Sequence, residues 1–578
     1  MLYTRRSTLT AVAISLLLFY LVANRRTVLP LSLLLRSPRI HLTWETCPNV
    51  PPSYPLGWSH KPTFDWRGIE IKNPVRSLTR LPTSRPSRIP RIQYPFAGGE
   101  EKRLIELDER REAVKKVFLR GWNTYRSKAW LHDELRPLSG YWKDNFGGWG
   151  ATLFDNLDTL WIMGLDDEFE EAVYAAVDIS LDPEDARENS INMFETTIRH
   201  LGGLLAAYDL TDCTYPQLLD KAMELGAMIY ASYDTPNHMP VTRWRVHQYN
   251  QQQLVSENGI IAELASASLE FTRLSQLTGD MRYYDIVERI TKLLAQQQSK
   301  TQLPGMFPIA VGTREEDLTK GETFSFGAMA DSAFEYFSKT WQLLNGRDRR
   351  YQTLFEGAMN AASSHLLFRP SVPDHADILF SGNYHAVSGE LDLQVQHLGC
   401  FTGGMYLLGG KLFGNASHLD IGRKLTNGCV WAYQNAPLGI MPEILQVPAC
   451  PSFEPCEYDT ENETRSAPFL RVLDARYNLR PEAVESVFYA YRITGDPRYQ
   501  DVAWDMFQAI ENNTATEFGN AAIQNVTDPA VTHIDSMESF WMSETLKYLY
   551  LIFSDPAYIS LDEWVFNTEA HPFRLPRV

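Results

Sequence analysis

From Glu100 onwards apolar residues recur at helical spacing, as in Glu485-Ser-Val-Phe-Tyr-Ala-Tyr-Arg492, and related short turns interrupt the pattern. Three amphipathic segments end in Leu277-Thr-Gly-Asp-Met-Arg-Tyr283, Leu344-Asn-Gly-Arg-Asp-Arg-Arg-Tyr351 and Ile493-Thr-Gly-Asp-Pro-Arg-Tyr499. In each, Gly lets the chain leave a helix through a left-handed cap, and the Asp that follows caps the next helix. Gly164-Leu-Asp-Asp and Gly409-Gly410 stand at comparable places. This recurrence predicts stacked helical hairpins. By itself it leaves open whether they form an open solenoid or a closed ring.

Two stretches depart from the pattern. Ser7 to Ala23 is an almost unbroken apolar run between Arg5-Arg6 and Arg25-Arg26. It is long enough for a short membrane span, and no small-residue cleavage site follows it, so it reads as a retained signal-anchor. Residues 1–6 are then a cytosolic tail, and the remainder is luminal. Residues 24–98 are rich in Pro, Arg and Ser without sustained periodicity and read as a stem, leaving 99–578 as one helical domain.

At 578 residues the chain exceeds the usual size of a single core, unless a repeat closes the architecture. The net charge of −17 excludes nucleic acid as the main partner, since phosphate binding needs clustered Lys and Arg. Glycosylation acceptors at Asn415, Asn462, Asn512 and Asn525 agree with a luminal domain. Six cysteines in an oxidising lumen pair in up to fifteen ways. Cys450 and Cys456 pair with each other or with Cys213, and Cys47 is free or links two chains; the sequence decides neither.

Several acids fall at predicted helix starts, where the helix dipole favours a carboxylate. Pro481 suits a first turn, with Glu482 and Glu485 inside it. Glu195 precedes Arg199 by one turn on one face, and Asp331 begins Asp-Ser-Ala-Phe-Glu-Tyr-Phe. In a closed ring, alternate helices aim their N-termini at one end, so these acids gather around one cavity.

The C-terminal Val565-Phe566-Asn567-Thr568-Glu569-Ala570-His571-Pro572 resembles the calcium-binding end of glycoside hydrolase family 47, the class I α1,2-mannosidases. Other blocks similar to that family's occur in the same order, among them Ala129-Trp-Leu-His-Asp-Glu-Leu-Arg-Pro-Leu-Ser139, with Leu131 where Gly is expected. Gly150-Ala-Thr-Leu-Phe-Asp-Asn-Leu-Asp-Thr-Leu-Trp-Ile-Met-Gly164, FETTIRHLGGLLAAY, ADSAFEY, HLGCF, LRPEAVESVFYAYRITGD and MESFWMSETLKYLYLIFSD complete most of the set. The resemblance implies an all-α (α/α)7 barrel that removes terminal α1,2-mannose from high-mannose N-glycans, with Ca²⁺ and with inversion.

Carried over by position, Glu195 is the general acid, Glu482 the general base and Asp331 a third catalytic carboxylate. Thr568 is the direct calcium ligand, through its hydroxyl and carbonyl. Glu482, Glu485, Glu544 and Glu569 hold the ion's waters. Arg199, Glu263, His397, Arg480 and Phe540 line the sugar pocket, and Cys400 pairs with Cys429. One departure bears on specificity: family members that remove a single mannose in the endoplasmic reticulum carry Arg where this chain has Met329. The resemblance therefore implies broader, Golgi-type trimming, in the Golgi or the endoplasmic reticulum. Two rival readings remain: a glycan-binding, lectin-like relative that cleaves poorly, and an unrelated helical-toroid hydrolase or scaffold.

Overall fold

A computed structural model describes residues 64–458, 469 and 471–576. The apolar run 7–23, Cys47 and Asn462 lie outside the described residues. Among the described residues no helix is long and apolar enough to cross a membrane.

Helices alternate between an outer and an inner layer. The outer ones are α1 (Glu101–Lys128), α3 (Asp166–Asp178), α5 (Pro216–Ala231), α7 (Met281–Gln297), α9 (Arg349–His365), α11 (Ala416–Asn435) and α13 (Arg498–Thr514). The inner ones are α2 (151–162), α4 (193–210), α6 (261–278), α8 (Asp331–Leu343), α10 (398–413), α12 (Glu482–Thr494) and α14 (541–552). Outer helices bury one stripe, whereas α8, α12 and α14 are buried around nearly their whole circumference. The ring closes where the last inner helix meets the first. Lys547 of α14 donates to Asp158 of α2 at 2.7 Å, with both side chains 0% exposed, and α14 also packs along α1. This excludes the open solenoid and gives an (α/α)7 barrel.

Turns joining inner to outer helices are short and follow the expected chemistry. Gly279 and Gly495 leave their helices at φ 73° and 71°, and Asp280 and Asp496 accept the amides of Arg282 and Arg498 at 3.0 Å. Gly409-Gly410 is a correction, since it lies inside α10, which ends at Gly414 with φ 69°. A β-carbon at Gly409 would come within 2.0 Å of the Phe355 ring, so that glycine serves close helix packing and not a turn. At the other end of the barrel the connections are long and carry small antiparallel sheets.

The stem reading also changes. Its described part, residues 64–98, is a strap bound to the helical body. Trp66 is buried and donates Nε1 to Leu181 O at 2.8 Å. Lys72 N and Asn73 N both donate to Asp234 at 2.7 Å, and Thr79 N donates to Asp285 at 2.7 Å. Such a segment carries no periodicity because its backbone bonds go to acids and carbonyls of the body and not to a ladder of its own.

Leu131 stands at φ 65°, the left-handed geometry for which glycine is suited. Leu131→Gly is expected to raise stability by about 1 kcal/mol, relief of strain outweighing the added backbone entropy of the unfolded chain. Urea denaturation checks this, and a destabilised variant would refute it.

Disulfides join Cys400 to Cys429 and Cys450 to Cys456. Cys213 is also disulfide-bonded, which removes it as a partner for either member of the second pair. Asn415 caps α11, its side chain accepting Ser417 N and His418 N. Asn512 is exposed on α13, and Asn525 Oδ1 accepts the amide and hydroxyl of Thr527.

Candidate active site

The inner helices aim their N-termini at the long-loop end, and these termini line one cavity of about 420 Å³. The C-terminal hairpin, Trp564–Phe566 paired antiparallel with Pro572–Arg574, enters the barrel from the opposite end. Its base is held where inner helices finish: Arg574 N donates to Asp209 at 2.9 Å. Its tip is held by Asn567, which donates Nδ2 to Ile198 O and Glu270 at 2.9 and 2.8 Å. Asn567 Oδ1 in turn accepts the amides of Glu569 and His571 at 2.9 and 2.8 Å. The tip therefore presents Thr568 and Glu569 to the cavity floor.

Glu195, Arg199, Glu263, Asp331, Arg480, Glu482, Glu485, Phe540, Glu544, Thr568 and Glu569 all line this cavity. His397 does not. It is fully buried behind Glu482, with Nδ1 3.2 Å from Glu482 Oε2 and Nε2 2.8 Å from the Tyr433 hydroxyl. Its motif sits on the turn entering α10, which points the ring at the base of the site and away from the open space.

Arg199 gathers one wall. Nε donates to Glu195 at 2.8 Å, and Nη1 to Glu569 at 2.7 Å, Ser539 at 3.1 Å and Asp155 at 3.3 Å. Arg480 gathers the other, donating to Glu443 at 2.6 Å and Glu482 at 3.4 Å. Their guanidinium carbons lie 5.9 and 6.0 Å from the Phe540 ring, which makes that ring a braced apolar surface. Glu195 and Phe540 adjoin π-helical turns, Thr196–Leu201 and Trp541–Thr545. Each wider turn changes which residues of α4 and α14 face inward, and such turns are frequent at functional sites.

The carboxyls differ in their hold on a proton. Burial would raise Glu482, but His397 and Arg480 keep it below the usual carboxylate range. Burial pushes Asp331 up to about 7. It pushes Glu569 up to about 8 against the pull of Arg199, and drives Glu485 and Glu544 well above the ordinary range. Lys339 offsets part of this, lying 3.8 Å from Glu485 and bonded to Glu335.

A floor of buried carboxyls beside Thr568, with oxygen donors only, fits a hard cation such as Ca²⁺. Among the described residues no three His, Cys, Asp or Glu side chains converge as a metal ligand set. An ion held there would take Thr568 as its protein donor, and the surrounding carboxylates would hold its waters.

Glu335 and Glu538 also line the cavity, and sequence reasoning missed them. Glu335 is four residues after Asp331 on one face of α8. Glu538 stands two residues before Phe540 and bonds Lys143 at 3.0 Å. Arg243, bonded to Glu263 at 2.7 Å, completes the rim.

Comparison with known proteins agrees with this geometry. The family model described as glycosyl hydrolase family 47 matches residues 117–575. The endoplasmic reticulum mannosyl-oligosaccharide 1,2-alpha-mannosidase of Homo sapiens is 36% identical over 525 residues, 90% of this chain and 71% of its own length. The mannosyl-oligosaccharide 1,2-alpha-mannosidase IB of Mus musculus is 33% identical over 508 residues, covering 85% and 74%. The solved alpha-1,2-mannosidase of Trichoderma reesei superposes with a TM-score of 0.74 at 31% identity, covering 81% of this chain and 99% of its own. With the hairpin plug, the acidic cavity and all of the barrel but the first half of α1 inside the matched span, the chain belongs to glycosyl hydrolase family 47.

Proposed function

We propose that this chain hydrolyses terminal α1,2-linked mannose from high-mannose N-glycans of glycoproteins, Ca²⁺-dependently and with inversion. One observation carries the reading: Glu195, Asp331, Glu482 and Thr568, distant in sequence, line a single cavity in a chain of this family.

Glu482, held ionised by His397 and Arg480, takes a proton from water as the water oxygen attacks the anomeric carbon. The bond from that carbon to the glycosidic oxygen breaks, and a carboxyl on the other side of the ring protonates the departing oxygen. Resemblance gives this donation to Glu195. The proton that Asp331 retains up to about 7 supports a second reading, in which Asp331 supplies it. Phe540 offers an apolar face to the sugar, and Arg199, Glu263 and Arg480 orient its hydroxyls. Bound at Thr568, Ca²⁺ would grip vicinal sugar hydroxyls as a hard Lewis acid.

Met329 lines the cavity, 55% exposed at φ 76°, and presents no planar donor to fix one glycan branch. We therefore read the trimming as removal of several mannoses. Residues 7–23 would anchor the chain as a type II protein of the endoplasmic reticulum or Golgi, facing the lumen. Three relatives, from Homo sapiens, Rattus norvegicus and Mus musculus, carry endoplasmic reticulum in their names.

The test is incubation with a nine-mannose glycan, with and without EDTA, following product mass and anomer by NMR. Release of several mannoses as the β-anomer, abolished by EDTA and restored by Ca²⁺, is expected. Release stopping after one mannose would refute the reading of Met329. Retained binding without release would favour the lectin-like alternative.

A further inference from the structure

At the barrel end opposite the cavity, three elements that carry site residues come together. These are the C-terminal end of α12, which begins at Glu482; the segment following α14, which carries Glu544; and residues 559–563, which lead into the hairpin bearing Thr568. Gln93 of the strap joins all three. Its Nε2 donates to Pro556 O at 2.7 Å, and its Oε1 accepts Arg492 Nη1 at 3.1 Å and Leu561 N at 3.3 Å. The adjoining backbone continues the junction. Ile92 N and Gln93 N donate to Asp562 Oδ1 at 2.6 and 3.3 Å, and Tyr94 N donates to Arg492 O at 2.8 Å. Ile92 and Gln93 are buried although they precede the family match by more than twenty residues.

Arg492 is why a glutamine matters there. Its guanidinium is fully buried, and its hydrogen bonds go to uncharged acceptors: Leu551 O at 3.0 Å, Pro556 O at 2.6 Å, Tyr558 O at 3.2 Å, Ile559 O at 3.4 Å and Gln93. A buried cation satisfied by carbonyls depends on each of them, because lost acceptors are not replaced by water. Gln93 is the only side chain among those acceptors, and it alone also holds the amide that opens the approach to the hairpin.

We propose that Gln93 is a positioning residue for the active site: the strap latches the closed end of the barrel and thereby sets the hairpin, and Thr568 with it, relative to Glu482 and Glu544. The part of this concerning calcium rests on the function proposed above. Through this latch, ion affinity depends on a segment outside the family domain. The strap is then a working part of the enzyme, whatever its proline-rich composition suggests.

Two measurements on the full chain test this for Gln93→Ala. Calcium titration by calorimetry is expected to show affinity weakened about tenfold, the scale of one hydrogen bond to a buried charge. Hydrogen exchange of the calcium-free protein is expected to show faster exchange at Asn567, His571 and Leu575, with the amides of α7 and α9 unchanged. Uniformly faster exchange with unaltered calcium affinity would mean a merely structural role and would overturn the proposal. If wild-type protein bound no calcium, the calcium reading would fail, while the exchange pattern would still judge the latch. Should Gln93→Ala not fold, Asp562→Asn, which keeps the side chain's shape and weakens its acceptor, is expected to loosen the same hairpin amides. Unchanged exchange there would equally refute the latch.

Discussion

Glu482→Gln is expected to lower kcat on a nine-mannose glycan by about 10³-fold with KM little changed, the scale of losing a general base. The substitution is nearly isosteric, and the surrounding bonds explain why the fold should tolerate it. The backbone start of α12 is set by Pro481, and the site keeps Arg480 on its separate bond to Glu443 at 2.6 Å. What the amide lacks is a lone pair basic enough to take the water proton. His397 and Arg480, which hold the wild-type carboxylate below its usual range, would then face a neutral group. The wild-type profile of kcat/KM should lose activity on the acid side only below the ordinary carboxylate range. On the alkaline side it should fall near 7 if Asp331 is the proton donor. Single-turnover kinetics separate chemistry from product release. A loss smaller than about tenfold would take the base's role away from Glu482.

The hairpin turns around Gly279, Gly346 and Gly495 were legible because a left-handed cap leaves a local signature of Gly followed by Asp. Ring closure was not, since it rests on Lys547 meeting Asp158 across most of the chain, a contact no local pattern announces. Glu195, Asp331 and Glu482 were located by family blocks together with their place at helix starts. Glu335 escaped because an acid four residues after another on a helix looks like surface periodicity until the helix is known to be an inner one. His397 was assigned to the pocket although it supports Glu482 from behind; a histidine's sequence context does not say on which side of its partner it lies. The π-helical turns next to Glu195 and Phe540 leave no recognisable sequence pattern either. The strap was misread because its hydrogen bonds run to distant residues such as Asp234, Asp285 and Asp562, whereas composition reports only what is near in sequence.

The calcium-free chain is expected to lose stability as pH rises from 6.5 to 8, and Ca²⁺ is expected to stabilise it increasingly over the same interval. Burial raises Glu569 from an ordinary 4.5 to about 8, and it drives Glu485 and Glu544 upward as well. A carboxyl with a raised folded pKa leaves the folded chain holding a proton that the unfolded chain has released. Its stabilising contribution is complete below the unfolded value and is lost as pH climbs through the folded one. While one such group keeps its proton, the slope is about 1.4 kcal/mol per pH unit. His200 acts in the opposite sense: burial lowers it to about 4, so folding gains stability as pH rises from there to its ordinary 6.5. The two effects oppose each other below 6.5. Above it His200 no longer contributes, and the carboxyls are joined by His571, which burial would lower but Asp158 raises. Both then lose stability in the same direction as pH climbs, which is why the measurement belongs there. A dication beside Thr568 would replace the protons on this floor, so the ion should bind more tightly and stabilise more as they leave. Thermal unfolding at pH 6.5, 7.25 and 8, with EDTA or with saturating Ca²⁺, decides the matter. A melting temperature independent of pH in EDTA would show that the floor carboxyls are not held protonated. A calcium increment that stayed constant would show that the ion does not bind among them.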